Sequence, residues 1–314
     1  MAIVIGLDVG GTKISGVAIN QDGTVMTSFS RVSDFCGTDY LANVAEVIRH
    51  VREETPGKID GIGIGVPGTV DYPSGVVRTC PAFKWKDVPL QKILERIFRV
   101  PVCVENDVNA WITAEKYMGA ARKSDNFVMV TMGTGLGCGL WIDGKLYHGS
   151  SCESGEIGYM PLGIKAYERP CHENEFGYFE RVASANSICE TFFKRTAQKL
   201  DSRQIFERAR TGDSIAGQVV REAYDYLGIG IGCIACLLNP EMVVLGGGMA
   251  NEGEKLAAEL QNRINRLVPI HTSVVITQVG KYGGAIGGAL CYVYRGSDLR
   301  GFARRQDEGR TGAP

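Results

Sequence analysis

The chain has 314 residues, 44% of them hydrophobic, with 35 acidic against 34 basic side chains and a formal net charge of −1. That length accommodates one large or two ordinary domains with ample core. Balanced charge without a Lys/Arg run argues against a nucleic-acid partner, and no uninterrupted apolar stretch reaches the length of a membrane helix. The first strand is expected to begin almost at Met1, with no cleavage signature before it, so a cytoplasmic protein is anticipated.

In chain order, the apolar run Ile3 to Leu7 is expected to be a strand emptying into Asp8-Val9-Gly10-Gly11-Thr12-Lys13. A second apolar stretch leads to Asp22-Gly23, a hairpin signal because such turns need positive φ. Tyr40 to Glu54 has helical periodicity and stops before Pro56-Gly57. Ile59 to Val66 is a glycine-interrupted strand running into Pro67-Gly68. Pro89 to Phe98 is helical, Val102 to Val104 a short buried strand, and Asn109 to Met118 a helix. From Phe127 the opening pattern repeats: an apolar run, then Thr131-Met132-Gly133-Thr134-Gly135-Leu136-Gly137, another apolar run and Asp143-Gly144. Helices are expected over Phe179 to Lys199 and Ser214 to Leu238, then a strand at Met242 to Leu245 entering Gly246-Gly247-Gly248. A helix over Glu254 to Leu267, a strand over Val274 to Thr277 and a glycine-punctuated helix over Gly283 to Tyr294 complete the pattern, followed by a charged tail. Strands alternating with helices after an opening meander imply an α/β fold of mixed sheets with crossover helices. The repeat divides the chain into residues 1–119, joined by the C-terminal segment 296–314, and residues 120–295.

The ten cysteines are scattered, most of them in apolar runs where a thiol behaves as a small hydrophobe. Cys233 and Cys236 have redox-motif spacing, but Gly228 to Leu238 reads as a buried helix of small residues, so packing is their expected role.

Two glycine turns of this kind can present backbone N–H groups to a polyphosphate. Neither is a G-x-x-x-x-G-K-[ST] loop or a helix-opening G-x-G-x-x-G. Glu105-Asn106-Asp107 follows a strand and precedes a helix, at the carboxyl end of a sheet where open α/β folds hold ligands. A carboxylate there can accept a proton from an attacking hydroxyl; the competing role for Asp107 is an ordinary helix N-cap. Glu156, among glycines, suits hydrogen bonding to sugar hydroxyls or is a solvated loop charge. Glu180 is either a ligand contact or a favourable first-turn charge. Gly246-Gly247-Gly248 offers bare backbone for a flat ring, or a helix N-terminus.

These elements, in this order and spanning nearly the whole chain, resemble the ROK family (repressor, open reading frame, kinase) of the actin-like and hexokinase superfamily. The resemblance implies two lobes of an actin-like, ribonuclease-H-like ATPase fold with an interdomain cleft. It implies a sugar kinase using ATP and Mg²⁺. Asp107 would be the general base, and Asn106, Glu156, Tyr159, Glu180 and Gly68 would contact the sugar. Asp8, Gly10, Gly11, Thr12, Lys13, Gly133, Thr134 and Gly135 would bind the phosphates, with Asp8 placing Mg²⁺ through water, and Gly247 and Gly248 would lie beside the adenosine. A homodimer or homotetramer is implied. The substrate is expected to be a hexose or N-acylhexosamine phosphorylated at its 6-hydroxyl: N-acetylmannosamine, glucose, N-acetylglucosamine, allose, fructose or a β-glucoside.

The chain departs from the family pattern at its zinc site. Tyr159 stands where relatives carry His in Gly-Glu-x-Gly-His; of three family cysteines only Cys171 remains, with Glu173 and Tyr178 at the other positions. No zinc is therefore expected, since tyrosine is a poor donor. A substitute site from His148, Cys152, Cys171 and His172 is disfavoured because the spacing matches no zinc pattern. An aromatic cluster of Tyr159, Tyr167, Phe176 and Tyr178 is expected to hold the loop instead. Pro81 replaces an asparagine that many relatives use against the sugar. The alternatives are a sugar-responsive transcriptional regulator, disfavoured because the first glycine turn starts at Asp8, and a non-catalytic sugar sensor, disfavoured by Asp107.

Overall fold

The computed structural model describes residues 2–32, 40–168, 170–171 and 175–294. The described residues divide into two compact units, one within 2–123, 148–153 and 278–294, the other within 124–147 and 154–277.

The first unit opens with β1 (Ile3–Val9), β2 (Lys13–Ile19) and β3 (Val25–Val32), an antiparallel meander whose first two strands are almost wholly buried. Helix α1 (Tyr40–Glu53) then leads to β4 (Ile59–Val66), which pairs parallel to β1. A small antiparallel sheet follows, β5 (Thr69–Asp71), β6 (Val76–Cys80) and β7 (Trp85–Val88), where no strand was expected. Its strands are short, and a 3₁₀ turn beginning at Pro81 separates the last two, so no period-2 signal survives. Helix α2 (Leu90–Phe98), β8 (Val102–Asn106) and α3 (Asp107–Met118) finish this stretch. The main sheet order is β3-β2-β1-β4-β8. Ile5, Leu7, Ile14, Val47, Ile48, Ile62, Ile64, Leu94 and Val104 share its core.

The second unit repeats the plan. Strands β9 (Phe127–Met132), β10 (Leu136–Ile142) and β11 (Lys145–Leu146) form the meander. Helices α4 (Tyr178–Ala183), α5 (Ala185–Thr196), α6 (Ser202–Arg210) and α7 (Ser214–Leu238) precede β12 (Met242–Gly246), α8 (Glu254–Leu267) and β13 (Ser273–Ile276). The order β11-β10-β9-β12-β13 copies the first sheet strand for strand. The single helix expected over Phe179 to Lys199 is two. Ser184, at ψ 166°, leaves helical backbone, ends α4 and caps α5 by accepting the Ser187 N–H.

The chain then returns to the first unit as α9 (Gly283–Tyr294), which packs on β1, β4 and α3. The sequence division had put this helix with residues 120–295; segment 296–314 lies outside the described residues. Small residues let its backbone approach closely. A Cβ on Gly63 would strike the Gly288 carbonyl, and one on Gly287 the Ala110 carbonyl. Buried Glu115 of α3 secures the return by accepting N–H groups from Ala120 (2.7 Å) and Gln278 (3.0 Å).

Cys233 and Cys236 are exposed on α7, beside Leu237 at 83% exposure, so the buried face expected there is the opposite one. Ala235, Ile231, Leu227 and Ile234 supply that face. The aromatic cluster expected to hold the 163–175 loop is not a packed core, since Tyr167 is 87% and Phe176 55% exposed. Among the described residues, no helix is long and apolar enough to cross a membrane.

Candidate functional site

In the first unit the candidate residues gather at the carboxyl ends of parallel strands. The β1–β2 turn is closed by the Gly10 N–H donating to the Lys13 carbonyl at 2.9 Å, leaving Thr12 and Lys13 exposed. Tyr40 donates its hydroxyl to the Gly11 carbonyl at 3.4 Å. Asp8, half-buried at the end of β1, accepts a hydrogen bond from the Trp111 side chain. Burial first, and the nearby Asp107 charge second, push its carboxyl up to about 7, against opposing contributions from Trp111 and Lys13. Gly284 makes room for this contact. A Cβ there would lie 2.6 Å from Asp8 Oδ2 and press on Trp111 Nε1.

Asp107 is the first residue of α3, and its competing role as N-cap belongs to Asn106. Asn106 Oδ1 accepts the N–H groups of Val108 (2.9 Å) and Asn109 (3.1 Å) from an extended backbone at φ −64°, ψ 146°. Asp107 Oδ1 also accepts the Val108 N–H at 2.9 Å. Burial raises the Asp107 pKa, with the Val108 and Asp107 backbone N–H groups opposing it. Asn106 Nδ2 donates to the Gly68 carbonyl at 3.1 Å, so two of the expected sugar contacts are joined directly. Gly68 holds φ +90° against the Thr79 carbonyl, where a side chain has no room.

Sequence reasoning named Glu105 within the triplet and His148 only as a disfavoured metal ligand, and did not foresee that the two meet. Glu105, part of the recognised triplet, is 1% exposed, and its Oε2 meets His148 Nε2 at 2.8 Å. Trp111 carried no signal beyond helical spacing. His148 lies 43 residues from its partner in a segment without periodicity, so nothing local points to it.

The second unit arranges its candidates differently. The β9–β10 turn closes with the Gly133 N–H donating to the Gly135 carbonyl at 3.0 Å, and Thr134 is exposed. The Gly133 carbonyl accepts the Ala185 N–H at 2.9 Å, tying the turn to the start of α5. Glu180 of α4 accepts the Leu136 N–H at 2.8 Å through Oε2. The same carboxylate lies against two glycines, with Oε2 2.7 Å from where a Gly135 Cβ would stand and 2.8 Å from a Gly158 Cβ. Burial raises the Glu180 pKa, opposed by the Leu136 N–H. Gly247, at φ +82°, packs on the end of β9, where a Cβ would meet Met132 O at 2.5 Å. A Cβ on Gly133 would approach the Gly248 N at 3.9 Å, so the two glycine segments are neighbours. Glu156 is exposed and precedes a 3₁₀ turn, its carbonyl accepting the Tyr159 N–H at 3.2 Å; Tyr159 is 50% exposed.

At the altered zinc positions, Tyr178 is buried with its ring 6.3 Å from Tyr226 and nearly perpendicular to it. Cys171 is exposed and its thiol donates to the Glu175 and Phe176 carbonyls. His148 is engaged by Glu105; Glu173 and His172 lie outside the described residues.

The first unit thus holds two coupled carboxylates whose surplus negative charge suits a divalent cation or a proton to be taken up. The second presents glycine backbone after β9 and at the end of β12, suited to an anion or a flat ring.

A family model described as "ROK family" matches residues 4–293. The chain is 31% identical over 280 residues to a glucokinase from Thermotoga maritima, covering 83% of this chain and 86% of that one. It is 29% identical over 283 residues to a xylose repressor from Caldicellulosiruptor bescii, covering 84% and 70% respectively. Among solved structures, a ROK family glucokinase from Streptomyces griseus in complex with glucose and AMPPNP superimposes with a TM-score of 0.81 at 26% identity, covering 92% of this chain and 98% of that one. The repeated meander-and-crossover sheets are therefore those of ROK sugar kinases of the actin-like fold, and the chain belongs to the ROK family.

Proposed function

We propose that this protein transfers the terminal phosphoryl group of ATP to the 6-hydroxyl of a hexose or N-acylhexosamine, with Asp107 as general base. The observation that carries this is the Glu105-Asn106-Asp107 turn. Because Asn106 takes the capping role, the Asp107 carboxylate is not needed to start α3. Burial raises its proton affinity, as a base that must take a hydroxyl proton requires.

Asn106, Gly68, Glu156, Tyr159 and Glu180 are assigned to the sugar. For Glu180, Oε2 holds the Leu136 N–H, so its other oxygen is the one assigned to a hydroxyl. Gly10, Gly11, Thr12, Lys13, Gly133, Thr134 and Gly135 are assigned to the phosphates, and Gly247 and Gly248 to the adenosine. The residues fit Mg²⁺: Asp8, pressed by the Asp107 charge, is the carboxylate whose burial a dication would compensate. Mg²⁺ held by Asp8 through water would neutralise phosphate charge, and the reaction then depends on positioning and electrostatics. Zinc is not assigned, since Tyr178, which is buried, and Tyr159, which is exposed, replace donors. A cytoplasmic homodimer or homotetramer remains part of the proposal.

The test is ADP release with ATP, Mg²⁺ and a panel of glucose, N-acetylmannosamine, N-acetylglucosamine, allose, fructose and β-glucosides. Glucose leads the panel because relatives are named glucokinase, and the others follow because Tyr159 and Pro81 alter two family contacts. Specificity constants that are negligible for every sugar would overturn the kinase. The xylose-repressor likeness supports a second reading, a sugar-responsive regulator, which sequence-specific retardation of the native operon DNA would favour.

A further inference from the structure

A carboxylate taken out of water must find donors for both its oxygens, and Glu105 does so at 1% exposure. Its Oε1 accepts the Asn106 N–H at 2.9 Å and the Asn109 side-chain amide at 3.1 Å, so one oxygen grips the first turn of α3. Its Oε2 meets His148 Nε2 at 2.8 Å. The His148 ring is itself set by Tyr72, which stacks on it at 4.3 Å between centroids and 20° between planes. His148 opens the short segment 148–153, which belongs to the first unit although the residues on both sides of it belong to the second. A buried carboxylate held against an imidazole is a poor source of net stability, because desolvation of the carboxylate consumes most of the attraction. It is a good way to hold two groups in one orientation.

We infer that His148 and Glu105 form a positioning pair for the β8–α3 turn, keeping Asn106 and Asp107 in the geometry that presents them to substrate. This rests on Asp107 being the base. The chain of contacts is continuous. Tyr72 orients His148, His148 satisfies one Glu105 oxygen, and the other oxygen holds the Asn106 backbone. The Asn106 side chain then grips Val108, Asn109 and Gly68. Neither His148 nor Glu105 needs to touch the sugar. Without His148, one oxygen of a buried carboxylate loses its donor, and the cheapest remedy is for Glu105 to turn and release Asn106.

The experiment compares the full-length wild type with His148→Ala and His148→Gln, the latter keeping an N–H donor of similar reach. Asp107→Asn is run beside them. Turnover, KM for sugar and for ATP, thermal midpoint, and hydrogen exchange of the Val108 and Asn109 amides are read. His148→Ala is expected to lower kcat roughly 10- to 100-fold, the cost of misplacing a reacting group by a fraction of an ångström. KM for ATP is expected to stay within about twofold, with the two amides exchanging about tenfold faster. His148→Gln is expected to recover most of both effects, a rescue that simple loss of packing does not predict. Turnover of His148→Ala within about twofold of wild type, unchanged exchange, or a Gln variant no better than Ala would each overturn the pair. Wild type inactive on every sugar, or fully active Asp107→Asn, would instead defeat the kinase reading. The exchange measurement would still decide whether His148 holds the turn.

Discussion

The two units carry the same sheet, β3-β2-β1-β4-β8 in one and β11-β10-β9-β12-β13 in the other, yet their strand ends carry opposite chemistry. Where β1 carries Asp8 as its penultimate residue, β9 carries Thr131. The fourth strands also differ, β4 running on to Gly68 and β12 into Gly246-Gly247-Gly248. The fifth strand of the first sheet delivers Glu105, Asn106 and Asp107; that of the second ends in Ile276. The first unit gathers carboxylates at the ends of β1 and β8, whereas the second places glycine backbone after β9 and at the end of β12 and borrows Glu180 from a helix to brace its turn. A duplicated scaffold thus divides labour by changing a few residues at equivalent strand ends, while the cores stay apolar.

That contrast predicts unequal sensitivity. Asp107→Asn should lower turnover by about two to four orders of magnitude in the ADP-release assay while the thermal midpoint holds, because Asn106 remains the cap. An equal loss of fold would mean the residue is structural after all.

Glycines should separate next, by the space around them rather than by unit. Gly247→Ala, at φ +82° and 2.5 Å from Met132 O, and Gly284→Ala, against Asp8 and Trp111, should each cost about 1–3 kcal/mol in denaturant unfolding. Gly248→Ala meets nothing within 4 Å and should cost about 1 kcal/mol or less.

Glu180→Ala strips the Leu136 N–H of its acceptor and removes the oxygen assigned to the sugar, so it should destabilise by about 1–3 kcal/mol while raising KM for both ATP and sugar. A rise confined to KM for sugar would separate its two assigned roles.

Asp8 supplies a pH-dependent member of the series. Its native carboxyl sits at about 7, above its ordinary value of 3.8, so the folded state binds the extra proton and loses stability as pH rises from about 4 through 7. Asp8→Asn removes that loss. The variant should gain on wild type in thermal midpoint between pH 4 and pH 8 without Mg²⁺, and a constant gap across that range would contradict the assignment.

The smallest effect belongs to α7. Cys233→Ser and Cys236→Ser should change stability by about 0.5 kcal/mol or less. Both thiols should react with a thiol reagent in native protein, whereas Cys80, Cys103, Cys138 and Cys291 should not.

Much of the scaffold was legible because its signals are local. Ile3 to Leu7 and Phe127 to Val130 are continuous apolar runs, as strands buried on both faces must be, and each glycine turn is punctuated within a few residues. The helix over Phe179 to Lys199 was misjudged for a local reason too: Ser184 interrupts it without a proline or glycine to mark the break. The exposed cysteines were misjudged because small-residue composition does not say which face of α7 meets the core.

What the amino-acid order determined by itself was the repeated meander, the glycine turns, and the placing of Glu105-Asn106-Asp107 at a strand-to-helix junction, although β8 runs on through Glu105 and Asn106 rather than ending at Val104. Periodicity, turn chemistry and capping act over a handful of residues and are written along the chain. Tertiary structure alone decided that Trp111 and Gly284 enclose Asp8 and that His148 meets Glu105. It also decided that α9 returns to the first unit. These depend on packing and desolvation between segments tens to hundreds of residues apart, and no periodicity encodes which distant group a buried carboxylate will find.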